Sequence, residues 1–77
     1  MKNNKQNILI IGLGYVGLPI SVLMSKHFNT FGFDISKKKI EELNNFIDNN
    51  KEISKKDLRT AIKEYNLFFT NNLSIVS

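Results

Sequence analysis

Three glycines near the start of the 77-residue chain, Gly12, Gly14 and Gly17, are spaced G-x-G-x-x-G. This spacing is typical of turns that bind the pyrophosphate of a dinucleotide, provided that a strand precedes the turn and a helix follows it. Gly12 permits a tight turn off the strand, Gly14 lets the backbone approach the pyrophosphate, and Gly17 lets the helix pack closely. The start of that helix presents free N–H groups and a partial positive charge to the anion.

Asp34 is the second candidate, because it ends the next apolar segment, TFGFD, 20 residues after Gly14. A carboxylate at this position accepts hydrogen bonds from the adenosine ribose and disfavours a 2′-phosphate, so it indicates NAD rather than NADP. The alternative is that Asp34 is only a helix N-terminal acid beside Ser36. The lysines at 37–39 are either phosphate ligands or the exposed first turn of a helix. We predict a dinucleotide site with NAD as its cofactor.

Short apolar segments predict three strands around this site. NILIIG is uncharged and ends in glycine, which is typical of a parallel strand buried on both faces. TFGFDI and LFFT are the other two candidates, and we expect their phenylalanines to pack in the sheet rather than to stack on bases. The chain therefore predicts an α/β fold, a Rossmann-type β-α-β-α-(α)-β half domain with a short parallel sheet and right-handed crossovers.

Three helices are predicted between these strands. The first covers residues 15–28, and the second covers residues 36–47 with Ser36 as its N-cap. The third begins after Ser54, and Asp57 makes this start a variant of the capping box. In the first helix, Val16, Ile20, Leu23, Met24 and Phe28 fall near helical spacing. The predicted apolar stripe of the second helix, with Glu41 and Glu42 facing solvent, is Ile40, Leu43 and Ile47. The predicted buried face of the third helix is Leu58, Ala61, Ile62 and Tyr65.

Composition narrows the function classes. The uncharged stretch after Lys5 is borderline in length for a membrane span and contains three glycines and a proline, and no small-x-small cleavage site follows it. The formal charge of +4 is spread among acids, so we expect no nucleic-acid partner and no membrane partner. The absence of cysteine excludes Cys-based zinc sites and fits a cytoplasmic location.

The segment IGLGYVGLPISVLMSKHFNTFGFDISKKKIEELNNFID closely resembles the N-terminus of nucleotide-sugar 6-dehydrogenases, the UDP-glucose and UDP-N-acetylhexosamine dehydrogenases of polysaccharide biosynthesis. The motifs GYVGLP and GFDISKKKIEEL carry the resemblance. The following IDNNKE is similar to the N-acetylhexosamine branch, whose pattern is roughly Gly-Ile-Asp-x-Thr-x-Glu. Ile47, Asp48 and Glu52 match this pattern, whereas Phe46 replaces the usual Gly and Asn50 the usual Thr.

The resemblance implies that the sugar C6 alcohol is oxidised to a carboxylate by two hydride transfers to NAD⁺. It also implies that the turn from Gly12 to Gly17 binds the pyrophosphate, with backbone contacts from Tyr15 and Val16. Asp34 would bind the ribose. Lys39 matches a basic residue near the adenosine, although a solvated lysine remains the alternative.

The resemblance runs to about residue 73 and implies that residues 1–77 are the first half of an NAD-binding Rossmann domain. The resemblance implies a cysteine nucleophile further along the enzyme, and this chain contains no cysteine, so we expect no catalytic residue here and no catalysis by the chain alone. The UDP-sugar would bind only to the full-length enzyme. An unpaired apolar strand edge predicts self-association. The alternative functions are a regulatory domain that senses NAD without catalysis and a non-functional remnant of the enzyme.

Overall fold

The computed structural model describes residues 6–76, which form a three-stranded sheet with helices packed against it. Both strand pairs are parallel, and the predicted α/β fold of Rossmann type is confirmed. In chain order the elements are β1 (Asn7–Ile11), α1 (Gly17–Ser25), β2 (Asn29–Phe33), α2 (Lys37–Asn44), α3 (Lys55–Glu64), β3 (Phe68–Thr70) and a 3₁₀ turn (Leu73–Val76).

The strand order is β1-β2-β3, so β2 is central and β1 is an edge strand within the described residues. The register places Ile10 beside Gly32, and Gly32 beside Phe69. Because side chains alternate along a strand, the sheet has two distinct sets of side chains. We call the set Ile8, Ile10, Thr30, Gly32 and Phe69 the covered face, and the set Leu9, Ile11, Phe31, Phe33 and Phe68 the open face.

The hydrophobic core lies between the covered face and the three helices. Right-handed crossovers that progress in one direction across a sheet place their helices on the same side. In agreement, one cluster joins residues from all three helices to Phe69 of β3, and Ile10 of β1 packs against it. The cluster consists of Leu13, Leu18, Ile40, Leu43, Leu58, Ala61, Leu67 and Phe69.

Two serines begin the second and third helices as predicted. The Ser36 hydroxyl accepts a hydrogen bond from the Lys39 N–H at 3.1 Å, and the Ser54 hydroxyl accepts one from the Asp57 N–H at 3.1 Å. Each bond satisfies an N–H group that the first turn of a helix leaves without a partner. These caps fix where the helices start relative to the strands that precede them.

The second helix ends earlier than predicted, at Asn44 rather than Ile47. The N–H of Phe46 donates to Leu43 O and the N–H of Ile47 donates to Glu42 O, both at 2.9 Å, which is the Schellman pattern. Phe46 has a φ of +66°, a conformation that favours glycine. This left-handed backbone suits the Gly that the resemblance implies at this position. The prediction that Ile47 belongs to the buried stripe is wrong, because Ile47 lies beyond the helix and is exposed.

The predicted helix over residues 15–28 is shorter in the structure, Gly17–Ser25, and its apolar stripe does not face the core. Val16, Ile20 and Leu23 are exposed, whereas Leu18, Ser21 and Ser25 are buried. The small serines let α1 approach the sheet. Their hydroxyls are satisfied within the helix, by Gly17 O at 2.8 Å and Val22 O at 2.6 Å respectively.

The prediction that β1 is buried on both faces is also wrong for the described residues. Leu9 is 40% exposed and Ile11 is 67% exposed, because the helices pack on the covered face. No helix in the described part of the chain is long and apolar enough to span a membrane.

Candidate dinucleotide-binding site

The glycine-rich turn joins β1 to α1 at the carboxyl end of the sheet. Gly12 has a φ of +89°, which L side chains rarely adopt, and its N–H donates to Phe33 O at 2.8 Å. A Cβ on Gly12 would meet no atom within 4 Å, so the backbone conformation rather than space requires glycine here. The chain therefore leaves the β1–β2 ladder in a tight turn, as predicted for Gly12.

Gly17 is required for a different reason. A Cβ on Gly17 would overlap the carbonyl oxygen of Gly12 and would also touch Ile10 Cγ2 at 3.5 Å. Helix α1 therefore starts directly against the end of β1. The close helix–strand packing predicted for Gly17 is present.

Gly14 lies at the open side of the turn. A Cβ on Gly14 would meet nothing within 4 Å, so neither the space nor the backbone conformation of the chain itself demands glycine. The turn borders a shallow concavity of ≈ 590 Å³, which Ile10, Ile11 and Ile20 also line. The free space at Gly14 is what an approaching pyrophosphate needs, because a side chain there would occupy it.

The N-terminus of α1 differs from those of α2 and α3. Serines cap the two later helices, whereas the N-cap of α1 is Val16, whose side chain makes no capping hydrogen bond. Tyr15 and Val16 are both exposed beside it. An uncapped helix start with a partial positive charge is suited to an anion.

Asp34 connects the turn to the start of the next helix. Its Oδ2 accepts a hydrogen bond from the Leu13 N–H, and its Oδ1 accepts one from the Ser36 N–H, both at 2.9 Å. The Ser36 bond is the contact that the helix N-terminal alternative requires, whereas the Leu13 bond is specific to the glycine-rich turn. The structure thus brings Asp34 to the turn, and ribose binding stays a prediction.

Lys39 lies in the first turn of α2, and its described hydrogen bond is the backbone contact to Ser36. Its side chain is half-buried, unlike those of Lys37 and Lys38, which are exposed. The role of Lys39 near the adenosine stays a prediction.

Sequence reasoning missed two residues that support the turn, Leu13 and Gly32. Leu13 is completely buried, and a Cβ on Gly32 would lie 3.0 Å from its Cδ2 and 2.8 Å from Cδ1 of Phe69. A glycine inside a strand is a known sign of close approach, so TFGFD did contain the signal. The apolar residue between the first two glycines, Leu13, was a second signal in the sequence.

The family comparison decides what kind of protein has this turn. The model of the UDP-glucose/GDP-mannose dehydrogenase family, NAD binding domain, matches residues 6–76. The chain belongs to this family. Because the matching part is the family's NAD-binding domain, the cofactor of this dehydrogenase-family domain is NAD.

Individual relatives agree with this assignment. The chain is 52% identical over 54 residues to UDP-N-acetyl-D-glucosamine 6-dehydrogenase of Salmonella typhi, a match that covers 70% of this chain and 13% of that protein. It is 41% identical over 66 residues to the enzyme of the same name from Pseudomonas aeruginosa, covering 86% and 15%. The chain thus spans about a seventh of the length of these two dehydrogenases.

A solved structure confirms the fold of this dehydrogenase-family domain. The UDP-D-ManNAc dehydrogenase from Pyrococcus horikoshii superimposes with a TM-score of 0.84 at 24% sequence identity. The match covers 94% of this chain and 18% of the other.

Proposed function

We propose that these 77 residues are the first half of the NAD-binding Rossmann domain of a UDP-sugar 6-dehydrogenase. The observation that carries the proposal is the family match over residues 6–76, together with a glycine-rich turn that has open space at Gly14. In this proposal the turn from Gly12 to Gly17 binds the pyrophosphate through its backbone, with Tyr15 and Val16 contributing N–H groups. Bound NAD⁺ supplies the hydride acceptor.

Two side chains complete the proposed cofactor site. Asp34 accepts hydrogen bonds from the adenosine ribose, for which its position at the turn is suitable. Lys39 lies near the adenosine. A titration of the chain with NAD⁺ and NADP⁺, followed by the backbone amide signals of the turn in NMR, tests this site. We expect NAD⁺ to shift these signals at lower concentration than NADP⁺; equal responses would contradict the role of Asp34.

We propose that the full-length enzyme oxidises a UDP-N-acetylhexosamine. The product is the corresponding uronate, which is used in polysaccharide biosynthesis. The support is that relatives with 52% and 41% identity have names of UDP-N-acetyl-D-glucosamine 6-dehydrogenases. The Ile47–Asp48 motif supports it less, because the structure gives Asp48 a local task. Its carboxylate accepts hydrogen bonds from the N–H groups of Asn50, Glu52 and Ile53 and so holds the loop between α2 and α3.

NADH formation by the full-length enzyme distinguishes the substrates. We expect turnover with UDP-N-acetylglucosamine or UDP-N-acetylmannosamine and a much lower kcat/KM with UDP-glucose. Preference for UDP-glucose would contradict the substrate assignment but would leave the NAD site intact. We further propose that the enzyme works in the cytoplasm, which cell fractionation tests.

The chain alone is proposed to be catalytically inactive, because it contains no cysteine for the nucleophilic step that the resemblance implies. The purified 77-residue chain should produce no NADH from NAD⁺ and any of these UDP-sugars. Detectable NADH formation would contradict this part of the proposal.

We also propose that the chain associates with itself through β1. The Gln6 carbonyl and the Gly12 N–H point toward β2, so the alternation of the strand directs the backbone groups of Leu9 and Ile11 to its other edge. Such an edge pairs readily with another strand. Light scattering should show oligomers of the wild-type chain. Leu9→Pro should lower the fraction of oligomer, because proline removes a backbone N–H at the free edge of β1 that β2 does not use. A monomer at all concentrations would contradict the association.

A further inference from the structure

Asp34 makes two contacts that ribose binding does not explain. Its two carboxylate oxygens accept hydrogen bonds from the backbone N–H groups of Leu13 and Ser36, each at 2.9 Å. The Leu13 bond crosses from the end of β2 to the middle of the glycine-rich turn. A hydrogen bond from a backbone amide to a charged carboxylate is among the stronger types in proteins.

Leu13 is also held in place by its side chain. Its side chain is completely buried and packs over Gly32, where even an added Cβ would approach Leu13 Cδ2 to 3.0 Å. Gly12 and Gly14, on either side of it, border open space. Leu13 is therefore the anchored residue of the turn, with its side chain in the core and its N–H on Asp34.

We propose that Asp34 is a positioning residue for the glycine-rich turn, so that the group proposed to bind the ribose also sets the shape of the pyrophosphate site. This inference rests on the proposed NAD site. A carboxylate offers about four lone-pair positions, so two backbone amides leave acceptors for ribose hydroxyls. Recognition of the ribose and recognition of the pyrophosphate are then coupled through a single side chain.

Inorganic pyrophosphate separates this role from ribose binding, because it contains no ribose. If Asp34 acted only on the ribose, Asp34→Ala would leave pyrophosphate affinity unchanged or raise it, since a negative charge near the anion is removed. If Asp34 positions the turn, the same variant weakens pyrophosphate binding about tenfold in spite of the charge change. Glu41→Gln, which removes one exposed acid from α2, measures the effect of charge alone.

The experiment is a titration of wild type, Asp34→Ala, Asp34→Asn and Glu41→Gln with pyrophosphate and with NAD⁺, combined with amide hydrogen exchange. We expect both Asp34 variants to lose affinity for both probes and the Leu13 amide to exchange at least about tenfold faster in Asp34→Ala. Loss of NAD⁺ affinity with unchanged pyrophosphate affinity would overturn the positioning role and leave the NAD site standing.

A wild-type chain that binds neither probe would overturn the proposed NAD site and this inference with it. If Asp34→Ala does not fold, two other measurements test the positioning role. They are the affinities of Asp34→Asn, which keeps one acceptor oxygen, and the exchange rate of the Leu13 amide in the wild type. We expect the Leu13 amide of the ligand-free wild type to be protected. Exchange at the rate of an open loop would overturn the inference.

Discussion

The open face of the sheet has more apolar side chains than the covered face, and the two faces have different surroundings. On the covered face, Phe69 is 2% exposed and belongs to the single core cluster that all three helices share. On the open face, its chain neighbour Phe68 is 42% exposed. The Phe68 ring packs edge to face with that of Phe31, with 6.3 Å between the ring centroids. The three helices thus pack on the covered face, whereas Leu9, Ile11 and Phe68 of the open face are exposed.

The comparison is sharpest at Phe69 and Phe68, which are consecutive and chemically identical. Phe69→Ala should lower the free energy of unfolding by about 3–5 kcal/mol, because it leaves a cavity beneath the helices. Phe68→Ala should cost only about 1 kcal/mol, because much of that ring is already in water. Urea unfolding of the two variants measures the difference, and equal losses would mean that the open face is buried in solution.

Leu9 tests the open face through association rather than stability. Leu9→Lys should change the free energy of unfolding by less than about 1 kcal/mol, since the side chain is on a solvent-facing surface. It should also reduce self-association, because a charge on the open face opposes burial against a second copy. Asn49→Lys, in the exposed loop between α2 and α3, is the matched control for added charge and should leave self-association unchanged. Oligomers that persist in Leu9→Lys would show that this face is not involved.

Phe46 lies outside both faces, in the turn that ends α2. Its left-handed backbone favours glycine, while its ring lies 6.0 Å from the Arg59 guanidinium and 5.8 Å from the Lys63 ammonium. Phe46→Gly should be about 1 kcal/mol more stable than Phe46→Ala, because both variants lose the ring and only glycine relieves the backbone. Equal stability in thermal unfolding would indicate that the left-handed turn is not strained.

Short sequence motifs correctly predicted the glycine-rich turn, the starts of the second and third helices and the position of Asp34. The glycine spacing, the serine caps and the position of Asp34 all depend on a few neighbouring residues, and the structure has them where the sequence indicated. The prediction that β1 is buried on both faces failed, and the apolar stripe of α1 does not face the core. The uncharged NILIIG and the stripe of Val16, Ile20 and Leu23 are typical of segments covered on both sides, whereas the described residues cover only one.

The support of the turn was harder to predict. Leu13 and Asp34 are 21 residues apart, and their hydrogen bond depends on how β1 and β2 pair. Periodicity along the chain gives no information on such a contact. Gly32 was visible as a glycine within a strand, but its partners Leu13 and Phe69 belong to other parts of the sheet.

The most direct test of the NAD site is the substitution Gly14→Ala, which adds a single methyl group to the turn. The structure has open space there, so Gly14→Ala should fold with the thermal stability of wild type or slightly higher. The same methyl group would occupy the space proposed for the pyrophosphate, so NAD⁺ affinity in a calorimetric titration should fall at least about tenfold. Unchanged NAD⁺ affinity in a stably folded Gly14→Ala would contradict the placement of the cofactor at this turn.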